Sequence, residues 1–280
     1  MSDFDPPIAL VRDAARRALA EDVGPLGDLT ASLVPADALA TADVVARADG
    51  VLAGTACATE VFAQLDDRVV VEWQLDDGDV VAPGAKVGRV RGPMRSVLTG
   101  ERTALNFLCH LSGVASLTRR FVLAAGDGVR VWDTRKTLPG LRALEKAAVR
   151  AGGGVNHRGT LSELVLVKDN HLAGVSIADA VARARAAWPA RTVEVECDRI
   201  DQVDEAVAAG ATMVLLDNMT PDEVRACVTR VAGRAIVEVS GGVTLDTVAA
   251  YAAAGPDLIS TSVITQSAPA LDLGVDLVAG

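Results

Sequence analysis

The sequence predicts an α/β protein whose larger part is an open, incomplete α/β barrel of about six parallel strands. Two observations carry that expectation. After Gly113, short apolar runs alternate with Ala-rich helical stretches roughly every 20 to 33 residues, which favours a parallel sheet flanked by helices. Six clear βα units emerge where the common closed barrel has eight, so the barrel is read as open, with a doubly wound sheet as the second architecture.

The first ~110 residues read instead as mixed α+β. Ile8, Val11, Ala15 and Leu19 recur at helical spacing. The β-branched runs 41–48 and 69–75 predict strands, and Asp77-Gly78-Asp79 with Pro83-Gly84 punctuates a hairpin-like segment ending at Val90. A helix is expected to resume at about Thr99 and to run through Leu111. Beyond it, strands are expected at 129–132, 164–167, 193–196, 213–216, 236–239 and 258–260. The intervening helices 177–187, 202–209, 221–231 and 245–254 carry Ala and Val on one face and charge on the other.

Half of the 280 residues are apolar, which suffices for one large unit or two modest domains. No stretch approaches the roughly 20 uninterrupted apolar residues of a membrane span. Residues 1–7 lack a basic segment followed by an apolar one. A soluble, unprocessed, cytoplasmic protein is expected. Cys57, Cys109, Cys197 and Cys227 are widely spaced in apolar surroundings and read as buried free thiols. A net charge of -10 argues against nucleic acid or an anionic membrane as partner. From Arg130 to His171, however, eight basic residues face four acidic ones. An acidic chain has concentrated cations in one segment.

In a barrel, functional groups gather at the C-terminal strand ends. Those ends carry Asp133-Thr134-Arg135-Lys136-Thr137, Lys168-Asp169-Asn170-His171, Glu194-Val195-Glu196, Asp217-Asn218, Glu238-Val239-Ser240-Gly241-Gly242 and Ser260-Thr261-Ser262. One such charge is an ordinary solvated loop residue; six consecutive polar ends are not. Strand periodicity sets Val193 and Val195 against Glu194 and Glu196, so if the valines meet helices both glutamates enter the barrel. Glu196 then needs a cation, a metal or ribose hydroxyls beside it, and an internal ion pair with Lys168 or Lys136 is as good a reading as a ligand role. Gly152-Gly153-Gly154 precedes Asn156-His157-Arg158, where backbone can approach a ligand and an Arg fork can pair with carboxylate or phosphate. His157 alone also suits a capping or packing role. The Ser240-Gly241-Gly242 and Ser260-Thr261-Ser262 turns suit a phosphate, or plain β–α turn chemistry.

Taken in order along nearly the whole chain, these motifs resemble one family, the quinolinate phosphoribosyltransferases. The matching words are Glu21-Asp22, Gly27-Asp28-Leu29-Thr30, Glu101-Arg102-Thr103-Ala104-Leu105-Asn106-Phe107 with Ser112-Gly113, the Asp133–Thr137 run, and Pro139-Gly140-Leu141-Arg142 with Glu145-Lys146. They continue through Gly152-Gly153-Gly154-Val155-Asn156-His157-Arg158, Lys168-Asp169-Asn170-His171, Glu194-Val195-Glu196, Leu216-Asp217-Asn218-Met219 and Ser240-Gly241-Gly242. The resemblance implies an N-terminal α/β sandwich domain, 1–113 joined by 267–280, and a barrel domain, 114–266. It also implies a head-to-tail homodimer in which Arg102 reaches the partner's site.

The substrates so implied are quinolinate and phosphoribosyl pyrophosphate, converted to nicotinate mononucleotide, pyrophosphate and CO2 with Mg2+ and no organic cofactor. Arg135, His157, Arg158 and Lys168 would hold the two carboxylates, with Thr134 in the same pocket. Lys136, Glu196, Asp217, Ser240, Gly241 and Gly242 would surround phosphoribosyl pyrophosphate and its metal, with Thr261 and Ser262 in the last phosphate turn. Lys136, Lys168, Glu196 and Asp217 form the expected catalytic set, Glu196 and Asp217 also serving the metal, directly or through water. Ala147, Ser262 and Gln266 depart from the family pattern, the last two where phosphate contact is expected. Two other readings compete: a related phosphoribosyltransferase of the kind linked to molybdate transport, disfavoured by Arg135 and His157, and a non-catalytic phosphate-binding barrel, disfavoured by Lys136, Lys168, Glu196 and Asp217 together.

Overall fold

The structure is a computed structural model describing residues 5–278. Part of the 1–7 start and the end of the 267–280 segment therefore lie outside the described residues. The chain forms two compact units.

The first takes in the chain up to Arg119, Thr137–Gly153, and the chain from Ile264 onward. Its sheet is antiparallel, in the order Leu273–Leu277, Leu39–Ala46, Lys86–Pro93, Val70–Trp73. The last strand in sequence thus pairs with the first, Ala42 opposite Leu277 and Ala46 opposite Leu273. Helix Ile8–Val23 buries Val11, Ala15 and Leu19 of the expected face together with Ala14, while Ile8, in its first turn, is exposed. The helix expected from about Thr99 is much longer, Met94–Ala125. Gly100 and Gly113 do not end it, because they are contact points rather than breaks. A Cβ on Gly100 would lie 2.7 Å from the Phe62 ring, and one on Gly113 would overlap the Pro269 carbonyl.

The second unit, Arg120–Lys136 and Gly154–Val263, holds six parallel strands in the order Arg130–Trp132, Leu258–Ser260, Ile236–Ser240, Met213–Asp217, Val193–Cys197, Val165–Val167. The sheet does not close among the described residues: the two edge strands remain unpaired with each other, and Trp132 instead bridges Val155. This is the open barrel the six βα units predict. The strands read as apolar runs because both faces are covered, leaving Val193, Val195, Val214, Leu216, Val237, Val239 and Ile259 buried.

Helices Ile177–Ala187 and Pro221–Val231 begin where Ser176 and Thr220 accept a backbone N–H from Asp179 and Glu223. Helix Ile200–Ala208 starts two residues earlier than expected, because Gln202 Oε1 caps the N–H groups of Asp198 and Arg199. The 245–254 helix shrinks to Val248–Ala252, its start taken by a turn in which Thr247 Oγ1 accepts the Thr244 N–H. No helix among the described residues is long and apolar enough to cross a membrane. All four cysteines are free, three buried and Cys109 half-buried, and burial pushes the Cys57 and Cys197 thiols up to about 12.

Candidate active site

Within the second unit the predicted residues fall into a rim of strand ends and a floor beneath it. Each rim residue leaves its strand where the sheet hydrogen bonding stops. Lys168 follows strand Val165–Val167, and its backbone N–H donates to His171 Nδ1 at 2.9 Å, so the imidazole holds the turn that presents the lysine. Its ammonium pairs with Glu196, which is half-buried at the end of the Val193–Cys197 strand. This is the internal ion pair that the strand periodicity left open. Asp217 aligns with Ser240 across the next strand pair and accepts a 2.7 Å hydrogen bond from Asn218 Nδ2.

The Ser240-Gly241-Gly242 turn is shaped by close approach. Asn218 donates its N–H to the Ser240 carbonyl at 3.1 Å, and Gly241 sits at φ +86° with no room for a Cβ beside Asn218. Gly242, at φ +65°, faces open space. Thr261 is buried, its N–H donating to the Trp132 carbonyl and its hydroxyl to the Val243 carbonyl, while Ser262 is half-buried. On the far edge, Thr134 Oγ1 accepts the Lys136 N–H at 3.0 Å, and Lys136 is exposed.

The half-buried Arg158 lies near Arg135. Burial and then the Arg135 charge hold its guanidinium below the usual arginine range. Two cations held against their repulsion are a poor structural choice and a good anion site. Arg158 Nη1 donates to the Leu164 carbonyl at 3.3 Å, which fixes its direction.

Three further residues organise this site and were not among those the sequence singles out as ligands. Asp133, wholly buried, accepts the His157 N–H at 2.9 Å through Oδ1 and Asn156 Nδ2 at 2.6 Å through Oδ2, tying the 133–137 and 156–158 loops together. Glu194 and Glu238 lie wholly inside the barrel, with Oε2 atoms 3.2 and 3.5 Å from His157 Nε2. Period two predicts that Glu194 points inward; that Glu238 meets it depends on the stagger of the strands. None of their four carboxylate oxygens accepts a well-aligned hydrogen bond. Desolvation is the first cause that pushes Glu194 up to about 7 and Glu238 to about 8. Donor atoms of His157, Glu194 and Glu238 lie within 4.8 Å of one another, a spacing that would also admit a cation.

Arg102 belongs to the first unit, exposed on helix Met94–Ala125 and lining a cavity of about 340 Å3 with Asp22, Asp28 and Thr99.

Residues 28–112 match the family model Quinolinate phosphoribosyl transferase, N-terminal domain, and residues 114–276 match Quinolinate phosphoribosyl transferase, C-terminal domain. The chain belongs to the quinolinate phosphoribosyltransferase family. A relative from Mycobacterium leprae called nicotinate-nucleotide pyrophosphorylase [carboxylating] is 42% identical over 276 residues, covering 95% of this chain and 96% of its own length. A Rattus norvegicus protein of the same name is 42% identical over 258 residues, covering 89% of this chain and 85% of its own. Among solved structures, the nicotinate-nucleotide pyrophosphorylase of Francisella tularensis superimposes with a TM-score of 0.94 at 37% identity, with 99% of each chain covered. The family and its fold are thus both shown for this chain.

Proposed function

We propose that this family member transfers the phosphoribosyl group of phosphoribosyl pyrophosphate to quinolinate, releasing pyrophosphate and CO2 and leaving nicotinate mononucleotide, a step of NAD biosynthesis. The observation that carries the reading is the rim itself, where Arg135 lies near Arg158 and both Arg158 and Lys168 act on the Glu194 carboxyl group, in a chain of net charge -10. The two substrates bring about seven negative charges, which such a cation cluster can concentrate.

In this reading Arg135 and Arg158 fork onto the pyridine carboxylates, with His157 and Thr134 in the same pocket. Lys168 completes that carboxylate pocket, and Lys136 meets phosphate, as a compact ammonium group does well. The turns at 240–242 and 261–262 offer backbone N–H groups to the ribose phosphate. Glu196 and Asp217, half-buried carboxylates on neighbouring strands, have the oxygen donors a hard cation requires and would hold Mg2+, directly or through water. When bound with the pyrophosphate, that ion offsets its negative charge. The pyridine nitrogen then forms the bond to ribose C1 as the bond from C1 to pyrophosphate breaks, with Glu196 and Asp217 oriented toward the positive charge that develops on the ring. The alkylated pyridinium takes up the electron pair released as the adjacent carboxylate departs as CO2, a proton replaces it, and no organic cofactor is required. The protein's part is to hold the ring and exclude water.

The dimer is part of the proposal, with Arg102 completing the partner's site and the protein acting in the cytoplasm. Purified protein mixed with quinolinate, phosphoribosyl pyrophosphate and Mg2+ should form nicotinate mononucleotide; activity on nicotinate with none on quinolinate would refute the reading. Arg102→Ala and Lys136→Ala homodimers should each be inactive and should regain partial activity when mixed, whereas no recovery would place Arg102 in its own chain's site.

A further inference from the structure

Buried glutamates inside a barrel need a reason, because desolvating a carboxylate costs several kcal/mol unless something compensates it. Glu194 and Glu238 reach the same point from strands separated by Met213–Asp217, both wholly buried, with all four oxygens lacking an aligned donor. The nitrogen facing both is His157 Nε2. The other ring nitrogen, Nδ1, accepts the backbone N–H of Arg158 at 2.6 Å, so the ring proton belongs on Nε2, toward the glutamates. The ring is held on two further sides: its own backbone N–H is bound to Asp133, and its plane stands at 87° to the Trp132 ring with centroids 5.1 Å apart. Arg158 is thereby fixed at both ends, its backbone by His157 and its guanidinium by the Leu164 carbonyl.

We infer that Glu194 and Glu238 are positioning residues of the substrate site, which together draw His157 Nε2–H toward the barrel floor and through Nδ1 set the aim of the Arg158 guanidinium. Neither carboxylate aligns with the N–H well enough alone, and two at 3.2 and 3.5 Å share the task. The inference rests on the reading that Arg158 receives a carboxylate of quinolinate, and it assigns a purpose to a pair of residues that touches neither substrate.

Removing both acceptors by Glu194→Met and Glu238→Met together is the direct test. The fold should tolerate it, since replacing buried, poorly compensated charge by apolar groups of similar volume is commonly neutral or stabilising. The double variant should raise the KM for quinolinate about tenfold while the KM for phosphoribosyl pyrophosphate stays within about twofold. The Glu194→Gln, Glu238→Gln double variant keeps an acceptor oxygen opposite Nε2 and should recover most of the loss. An unchanged quinolinate KM, or a parallel rise in both constants, would overturn the inference.

The relay also has a readout that does not depend on turnover. The chain has three histidines, so the His157 15N signals can be assigned by their loss in His157→Asn. Wild-type protein should show Nε2 protonated and Nδ1 bare, and the double Met variant should show mixed tautomers. Mixed tautomers in the wild type would overturn the relay even in active enzyme. The wild-type pattern together with failure to use quinolinate would leave the relay standing and refute the reaction. One equivalent of a divalent metal retained by wild type and lost from the double variant would overturn it too, by making the cluster a metal centre.

Discussion

Two nearly inaccessible carboxyl sites, one in each compact unit, have opposite electrostatics. Asp43, 4% exposed in the antiparallel sheet, receives Arg89 through two hydrogen bonds of 2.6 and 3.1 Å and Lys86 at 2.7 Å, and these cations hold it down to about 2. Glu238, buried in the parallel sheet, meets a second carboxyl group, one imidazole and the Ser260 hydroxyl, and burial pushes it up to about 8. Low solvent exposure is common to both; what differs is the pair of cations beside Asp43 and the deep enclosure that desolvates Glu238. A carboxylate given its cations is a structural element, whereas one left without them in a core marks a place where stability was not the governing requirement.

The largest expected effect sharpens this contrast by comparing two ion pairs. Lys168→Ala, at the rim, should lower kcat/KM by about 100- to 1,000-fold with little change in Tm. Asp43→Asn should lower Tm and leave kcat/KM unchanged, and a steady-state assay beside a thermal melt on both variants checks the pair. A rim variant that loses stability instead of activity would break the contrast. Next comes Asp133→Ala, which strands the His157 N–H and the Asn156 amide in a buried setting. It should destabilise by about 3 kcal/mol in urea unfolding and also impair quinolinate binding, because both loops move.

The pH dependences should run in opposite directions. Glu238 has a folded pKa above its ordinary 4.5, so its contribution to stability is fully present below about pH 4.5 and is lost as pH rises through about 8. Asp43 has a folded pKa below its ordinary 3.8, so its contribution is present above about pH 4 and is lost as pH falls toward 2. Melts from pH 5 to about 9 should show a decline in wild type that Glu238→Gln flattens and Asp43→Asn does not. The smallest effect is the control: Thr220→Ala removes a helix cap in the barrel unit and should cost about 1 kcal/mol with unchanged kinetics.

Much of this was readable in the sequence, for identifiable reasons. Parallel strands buried on both faces appear as short apolar runs, so all six fall within a residue or two of their expected places, and the helix expected at 221–231 is found as Pro221–Val231. The inward direction of Glu194 and Glu196 followed from period two, and Glu196 did meet Lys168. What stayed hidden depends on distance in space rather than along the chain. The helix expected at about 99–111 runs on as Met94–Ala125, with Phe62 and Pro269 pressed against its Gly100 and Gly113. Glu238 reads as one more polar strand end until the stagger of the barrel carries it to Glu194. Asp133 lies inside a conspicuous basic motif, and only the folded loop shows it accepting from both His157 and Asn156.

The register of Ala42 with Leu277 has a consequence for how the protein is made. During synthesis the strand Leu39–Ala46 emerges early, but its Leu273–Leu277 neighbour emerges only after the whole barrel segment. Whatever pairs with that strand edge in the meantime is not native. The intervening barrel segment has time to fold first as an inserted body, drawing the chain ends together and lowering the entropic cost of closing so long a loop. Completion of the small sheet then becomes a late event, and the growing chain is exposed to mispairing at that edge until Leu273–Leu277 arrives.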